Sequence, residues 1–299
     1  MTRESLTRFA WLSIGAALAT ILLKGSAWWL TGSVGLLSDA LESFVNLAAA
    51  ILALWLLKVA ARPPDDEHDF GHDKAEYFAS GIEGALILVA SASIAVAALP
   101  RLMHPEPLAQ VGWGLAVSSI AALVNLVVGQ ILIRAGKQHH SITLEADGQH
   151  LMTDVWTSAG VIAAVALVAA TGWLRLDPLI AIAVAAHICI TGIRLMQRSV
   201  GGLMDSTLPA EERDRVKAIL DRHRVAGVDY HALRTRQAGH RRFVYFHLLV
   251  PGMWSVEQGH TLMESIEGEI RASLQYATVI AHLEPVEDPS SYQDIHLDR

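Results

Sequence analysis

His150 and Asp154 stand four residues apart at the head of a long apolar run. On a helix that spacing puts them one turn apart on a single face. Far upstream, Glu42 and Asn46 repeat the spacing inside another apolar segment. Ionisable groups at membrane depth are expensive and by default mark an ion or proton path. Two helices that each offer two ligand-type side chains on one face close a four-ligand site of three oxygens and one nitrogen. Such a shell suits Zn(II), Fe(II), Mn(II), Co(II) or Cd(II). It is too soft for Mg(II) or Ca(II) as first choice, and it lacks a thiolate to favour Cu(I). Asn46 taken alone reads equally as part of a polar seam between helices. Asp39 extends Glu42 and Asn46 into an i, i+3, i+7 stripe, nearer the helix end, where hydration or capping explains it as well as ligation does. Glu83, early in the third apolar segment, is a candidate proton carrier or partner of a ligand, with hydration of a helix start as the alternative.

Two further constellations lie outside the apolar runs. The stretch Asp65–Lys74 sets His68 and His72 four apart among acids, so that Asp65, His68 and His72 form a candidate peripheral metal site. An acidic, solvated loop accounts for the same residues without a metal. Towards the C-terminus come His231, His247, His260 and His282, with Glu284 two residues after the last. Side chains two apart on a strand share a face, so His282 and Glu284 point the same way. A binuclear site explains this many ligands better than one metal does; surface histidines on a hydrated sheet are the competing explanation.

The elements that must position these groups follow from composition. The 299 residues are 52% hydrophobic and 18% charged, against about 25% charged in soluble chains, and mean hydropathy is +0.36. This is the balance of a membrane protein with a soluble part attached. A net charge of -7 argues against a nucleic-acid partner. The single cysteine, Cys189, rules out a disulfide framework or a Cys-type zinc site within one chain, so the 14 histidines must serve any metal chemistry.

Six apolar segments are long enough to cross a bilayer: Phe9–Leu30, Val34–Val59, Phe78–Leu99, Gly112–Ile133, Ala146–Ala170 and Leu179–Leu195. The first runs past Lys24 to Trp28-Trp29-Leu30, too long for a cleaved signal core. Basic residues fall mostly on one side, with only Arg101 and Arg175 opposite, which places both termini in the cytoplasm. After Arg198 the composition becomes that of a soluble domain. Pro209-Ala210-Glu211-Glu212 opens a helix with Thr207 as its expected cap. Strands Val228–Gln237 and Phe243–Val250 flank a hairpin connection at Ala238–Arg242, and a helix from Ser255 to Leu274 precedes a strand at Thr278–Leu283. The order αββαβ suits a small ferredoxin-like α+β domain. The expected division is a six-helix transmembrane domain at 1–205, a cytoplasmic domain at 206–288 and a disordered tail at 289–299.

The chain resembles the cation diffusion facilitators, specifically their bacterial zinc/iron efflux branch. The pieces that carry the resemblance are Phe70-Gly71-His72-x-Lys74-Ala75-Glu76, the His150-x3-Asp154 pair and Leu233-Arg234-Thr235-Arg236-Gln237. It extends from Trp28-Trp29-Leu30-Thr31-Gly32-Ser33 to His282-Leu283-Glu284-Pro285. The resemblance implies a transporter, not an enzyme, that exports a divalent metal across the bacterial inner membrane in exchange for protons, with no organic cofactor. It implies a transport site at Glu42, Asn46, His150 and Asp154, a loop site at Asp65, His68 and His72, and a cytoplasmic binuclear site at His231, His247, His260, His282 and Glu284. Zinc or iron would be the substrate, and metal in the cytoplasmic domain a regulator. It also implies a homodimer in which Lys74 and Asp205 form a charge interlock. The branch typically has two aspartates where this chain has Glu42 and Asn46, so its shell carries one negative charge fewer. A non-transporting metal sensor and an intramembrane metalloenzyme are the rivals; the latter lacks an H-E-x-x-H motif.

Overall fold

The computed structural model describes residues 6–31, 34–105 and 113–293, without the side chains of residues 31, 34–39, 42, 113 and 114. The side chains of Asp39 and Glu42 and the turn at 32–33 therefore lie outside the described residues. Six helices build a first unit, bounded at Val200: α1 (Thr7–Thr31), α2 (Val34–Ala60), α3 (Ala75–Met103), α4 (Trp113–His139), α5 (Ile142–Thr171) and α6 (Leu176–Leu203). All six are long and apolar enough to span a bilayer. The helices outrun the apolar segments at several ends because polar residues continue or cap them. At α5 the Ser141 hydroxyl accepts from the Leu144 amide, and Gly172 closes the far end at φ 69° with its N–H on the Val168 carbonyl. Gly172 meets the left-handed requirement of that cap without a Cβ penalty.

Packing within this unit relies on small residues, as lipid gives helices little hydrophobic reason to associate. Gly129 on α4 and Gly148 on α5 mark the tightest approach relevant here: a Cβ added to Gly148 would stand 2.8 Å from the Gly129 carbonyl oxygen and 2.7 Å from Ile133 Cγ1. Ser91 on α3 donates to the Ala185 carbonyl of α6 at 2.9 Å. The side chain of Glu76, fully buried, accepts from the Ser141 hydroxyl and, at 3.3 Å, from the Thr143 amide. A carboxylate at a helix N-terminus satisfies free amides and complements the dipole, so α3 holds the start of α5. Trp11, Trp55, Trp156, Ile162 and Leu167 remain exposed, as lipid-facing side chains must be.

The second unit, from Gly201 onward, contains α7 (Ala210–Arg222), β1 (Asp229–Ala238), β2 (Arg241–Val250), α8 (Val256–Ser273) and β3 (Ala277–Pro285). The sheet order is β1-β2-β3, antiparallel between the first two strands and parallel between the last two, with α8 as the crossover. Val244, Phe246, Leu248 and Val250 alternate along β2 and pack with Val216 and Leu220 of α7 and Ile266 and Ile270 of α8. The intervening residues of β2, His247 among them, lie on the opposite face. The hairpin is tighter than the sequence suggests: Ala238 pairs with Arg241, leaving Gly239, at φ 56°, and His240 as the turn. The cap of α7 is Pro209, with no side-chain bond, and not Thr207. A proline cannot donate its nitrogen and its fixed φ suits the entry to a helix, so the hydroxyl is not needed. Ser255 and Gln258 close α8 with a reciprocal capping box. Pro289–Tyr292, expected to open an unstructured tail, instead form a 3-10 turn, with the Ser291 hydroxyl on the Pro285 carbonyl at 2.9 Å.

Candidate metal centres

Asn46, His150 and Asp154 meet between α2 and α5. Asn46 Nδ2 donates to Asp154 Oδ2 at 2.7 Å, and Asn46 Oδ1 lies 2.7 Å from His150 Nε2. A carbonyl oxygen only accepts, so His150 donates from Nε2 in this arrangement. One amide thus bridges the imidazole and the carboxylate. Asn46 and His150 are buried. Glu83 of α3 closes the other side of the ring, with Oε2 3.2 Å from His150 Nδ1. Asn125 of α4 donates to the same Asp154 Oδ2 at 2.8 Å. One turn before His150, buried Asp147 accepts from the Ser13 hydroxyl of α1 at 3.0 Å.

Asn125 and Asp147 are absent from the sequence expectations. Asn125 has no ligand-type neighbour one turn away, which is why its segment reads as plain lipid-facing helix. Asp147 did carry a signal: Asp147, His150 and Asp154 have the same i, i+3, i+7 spacing as Asp39, Glu42 and Asn46. Applied to both helices, the stripe rule finds it.

In the loop between α2 and α3, Asp65 gathers both histidines. His68 Nδ1 lies 3.2 Å from its Oδ1 and His72 Nε2 3.3 Å from its Oδ2. One ligand atom from each of the three falls within 4.8 Å of the others, and the two rings are 4.5 Å apart between centroids. The turn is held by Asp65 itself, whose Oδ1 accepts from the His68 amide at 2.8 Å. Desolvation raises the Asp65 carboxyl, but hydrogen bonds from the His68 side chain and backbone, with the His72 charge, hold it below its ordinary value.

On the second unit's open sheet face, His231 pairs with His247 across β1 and β2, and His247 with His282 across β2 and β3. The three imidazoles therefore form a row, with Glu284 two residues beyond His282. His231 Nε2 lies 2.9 Å from Glu284 Oε2, His247 Nδ1 3.2 Å from Glu284 Oε1, and His282 Nε2 3.5 Å from that same oxygen. Ligand atoms of His231, His247 and Glu284 fall within 4.8 Å of one another. A bulge between His231 and Arg234, with Ala232 at φ 50°, sets the strand's aim at this point. Glu284 is buried and His231 Nδ1 has no hydrogen-bond partner among the described residues, a donor set that fits a transition metal. His260 is not drawn in; it stands exposed on α8. Asp205 accepts from Arg236 Nη1 at 3.1 Å, and Lys74 occupies the cap position of α3.

A family model described as the cation efflux transmembrane domain matches residues 10–204, and one described as the cytoplasmic domain of cation efflux proteins matches 208–286. The chain is 52% identical over 293 residues to the uncharacterised transporter sll1263 of Synechocystis, covering 98% of this chain and 94% of that one. It is 32% identical over 276 residues to the cation-efflux pump FieF of Shewanella oneidensis, covering 92% of each. The metal-bound C-terminal domain of the CzcD transporter from Thermotoga maritima aligns with 26% of this chain and 92% of its own, at 27% identity and a TM-score of 0.25. With six membrane-length helices ahead of a small three-stranded α/β domain, the chain belongs to the cation efflux family, the cation diffusion facilitators, as a multi-pass membrane transporter of divalent metal cations.

Proposed function

We propose that this transporter carries a transition-metal ion, zinc or iron before manganese, cobalt or cadmium, out of the cytoplasm of a bacterium in exchange for protons. Both termini face the cytoplasm of the inner membrane, and the ion crosses by alternating access at Glu42, Asn46, His150 and Asp154. The observation that carries this is the convergence of Asn46, His150 and Asp154 from two membrane-length helices. To take an ion on Nε2, His150 must give up its donor bond to Asn46. Its remaining proton then sits on Nδ1 facing Glu83, the carboxylate–imidazole pairing that fixes a metal-binding tautomer. Ligands must be deprotonated to hold metal, so protons arriving from the far side compete with it directly.

Asp65, His68 and His72 collect metal before entry. His231, His247 and Glu284, with His282 beside them, would hold regulatory metal, which supplies positive charge to a cluster of acid and imidazole groups. Two copies associate as a homodimer, with Lys74 and Asp205 as the charge interlock at the membrane surface.

The test is metal flux into vesicles with an imposed pH gradient. Flux should rise as the proton gradient opposes the metal path and should collapse on dissipating it; flux indifferent to the gradient refutes proton exchange. For regulation, distances between spin labels on the two cytoplasmic domains should shorten with zinc, and unchanged distances refute that role.

A further inference from the structure

We propose that Asn125 is a selectivity residue of the transport site, lending the ion its amide carbonyl while its amide nitrogen fixes Asp154. This deepens the transport reading and rests on it. Asn125 Nδ2 donates to Asp154 Oδ2 at 2.8 Å, and that oxygen also accepts from Asn46 Nδ2 at 2.7 Å. Two amides from two different helices therefore pin one carboxylate oxygen and orient the group. The close crossing at Gly129 and Gly148 is what brings α4 near enough, since Gly129 lies one turn beyond Asn125.

Asn125 is only 2% exposed, yet its Oδ1 has no hydrogen-bond partner among the described residues. A buried carbonyl of this kind is costly unless something else satisfies it. Its nitrogen already faces the ligand carboxylate, so the same short side chain keeps its oxygen beside the site. A cation entering between His150 and Asp154 supplies the missing partner. Asn46 Oδ1, released from His150, adds a second neutral oxygen.

The consequence is a choice among ions. Zn(II) is satisfied by four ligands in a tetrahedron, and imidazole suits it. Mn(II) favours six ligands and oxygen donors, carbonyls included. A fifth ligand residue that is a neutral oxygen assists manganese and adds little for zinc. Asn125 thereby widens the range of ions that the shell accepts.

The test is competitive equilibrium binding of Mn(II) and Zn(II) to the detergent-purified full chain, counting only the binding that D154A abolishes. The leucine variant N125L has nearly the same volume and neither amide group. It should weaken zinc by about 10-fold, because Asp154 loses one of its fixing donors, and manganese by about 100-fold, because a ligand oxygen goes with that donor; these are the two ends of the range usual for groups that support a metal ligand. The isosteric N125D, which keeps an oxygen and adds charge, should move the manganese-to-zinc ratio the other way, and it serves where N125L does not fold. Equal losses of both ions would mean that Asn125 only props up Asp154, and an unchanged ratio in both variants would remove it from the site; either overturns the proposal. So does an Asp154-dependent binding of nil. Flux of wild-type protein in vesicles is scored separately, so a protein that binds at Asp154 but moves no metal refutes the transport reading alone.

Discussion

Substitutions at Asp154 separate its structural role from its proposed transport role. Its Oδ2 accepts from both Asn46 and Asn125. Replacing Asp154 with leucine strands two buried donors, at about 1–3 kcal/mol each, or about 2–6 kcal/mol for the pair. Replacing it with asparagine leaves an acceptor oxygen in place, so both bonds persist with a neutral partner. The lost charge assistance is about 1 kcal/mol per bond, and it is offset because an amide is cheaper to bury than a carboxylate. For an ion bound there the two variants would be alike, since each removes the negative charge that would balance a divalent cation. Zinc flux into proteoliposomes should fall by about 100-fold or more in both, beyond the loss usual for an outer partner of a ligand. Melting of the metal-free protein in detergent should stay near wild type for D154N and drop clearly for D154L. If D154N transports normally, Asp154 is not a ligand; if D154L melts with D154N, the two amides do not depend on it.

Gly148→Ala forces a methyl to within 2.7 Å of Ile133 Cγ1 and 2.8 Å of the Gly129 oxygen. It should destabilise by about 1–3 kcal/mol and reduce flux by parting Asn125 from Asp154, whereas Gly15→Ala, with nothing within 4 Å, should do neither; melting and flux of the pair decide this. Asp65 gives a pH prediction, because its hydrogen bonds hold its carboxyl below the ordinary carboxylate range. A depressed carboxyl stabilises its turn fully above the unfolded value and loses that contribution as pH falls through the folded one. The loop should hold its turn throughout the neutral and mildly acidic range and loosen only below about pH 4, as read by amide shifts of Glu67 and His68; loosening near pH 6 would contradict the hydrogen bonds described.

Span number and type were legible because twenty apolar residues in a row have few other uses. The helix ends were not, since Ser141 and Glu76 build a start for α5 through a contact 65 residues apart in sequence. In the second unit, two strand-like runs about a Gly-containing connection announced the hairpin, and the spacing of His282 and Glu284 announced a shared face. The row of His231, His247 and His282 depends on register, which a bulge shifts and which no local pattern reveals. Ligand-type side chains at helical spacing made the convergence of Asn46, His150 and Asp154 readable. Asn125 was hidden because its partner is 29 residues away, across a glycine crossing whose closeness only the packed helices display.

The asparagine at position 46 also bears on stability. Its amide touches both groups that an ion would join, donating to Asp154 and accepting from His150. A neutral side chain thus ties the imidazole to the carboxylate, and an ion bound by both groups would have to replace those two bonds. An aspartate there, the residue usual in the zinc/iron branch, cannot donate to Asp154 and sets a second carboxylate against it. The variant N46D should therefore destabilise the metal-free protein by about 1.5–3 kcal/mol, the worth of a hydrogen bond to a charged group. The added charge should at the same time tighten zinc. A tenfold gain in affinity would raise the stabilisation at saturating zinc by about 1.4 kcal/mol. The gap between the metal-free and zinc-loaded melting temperatures should widen, with the metal-free protein melting clearly lower and the loaded one at or somewhat below wild type. If N46D melts like wild type when empty, Asn46 is not what steadies the unloaded site, and the bridge between His150 and Asp154 has no energetic role.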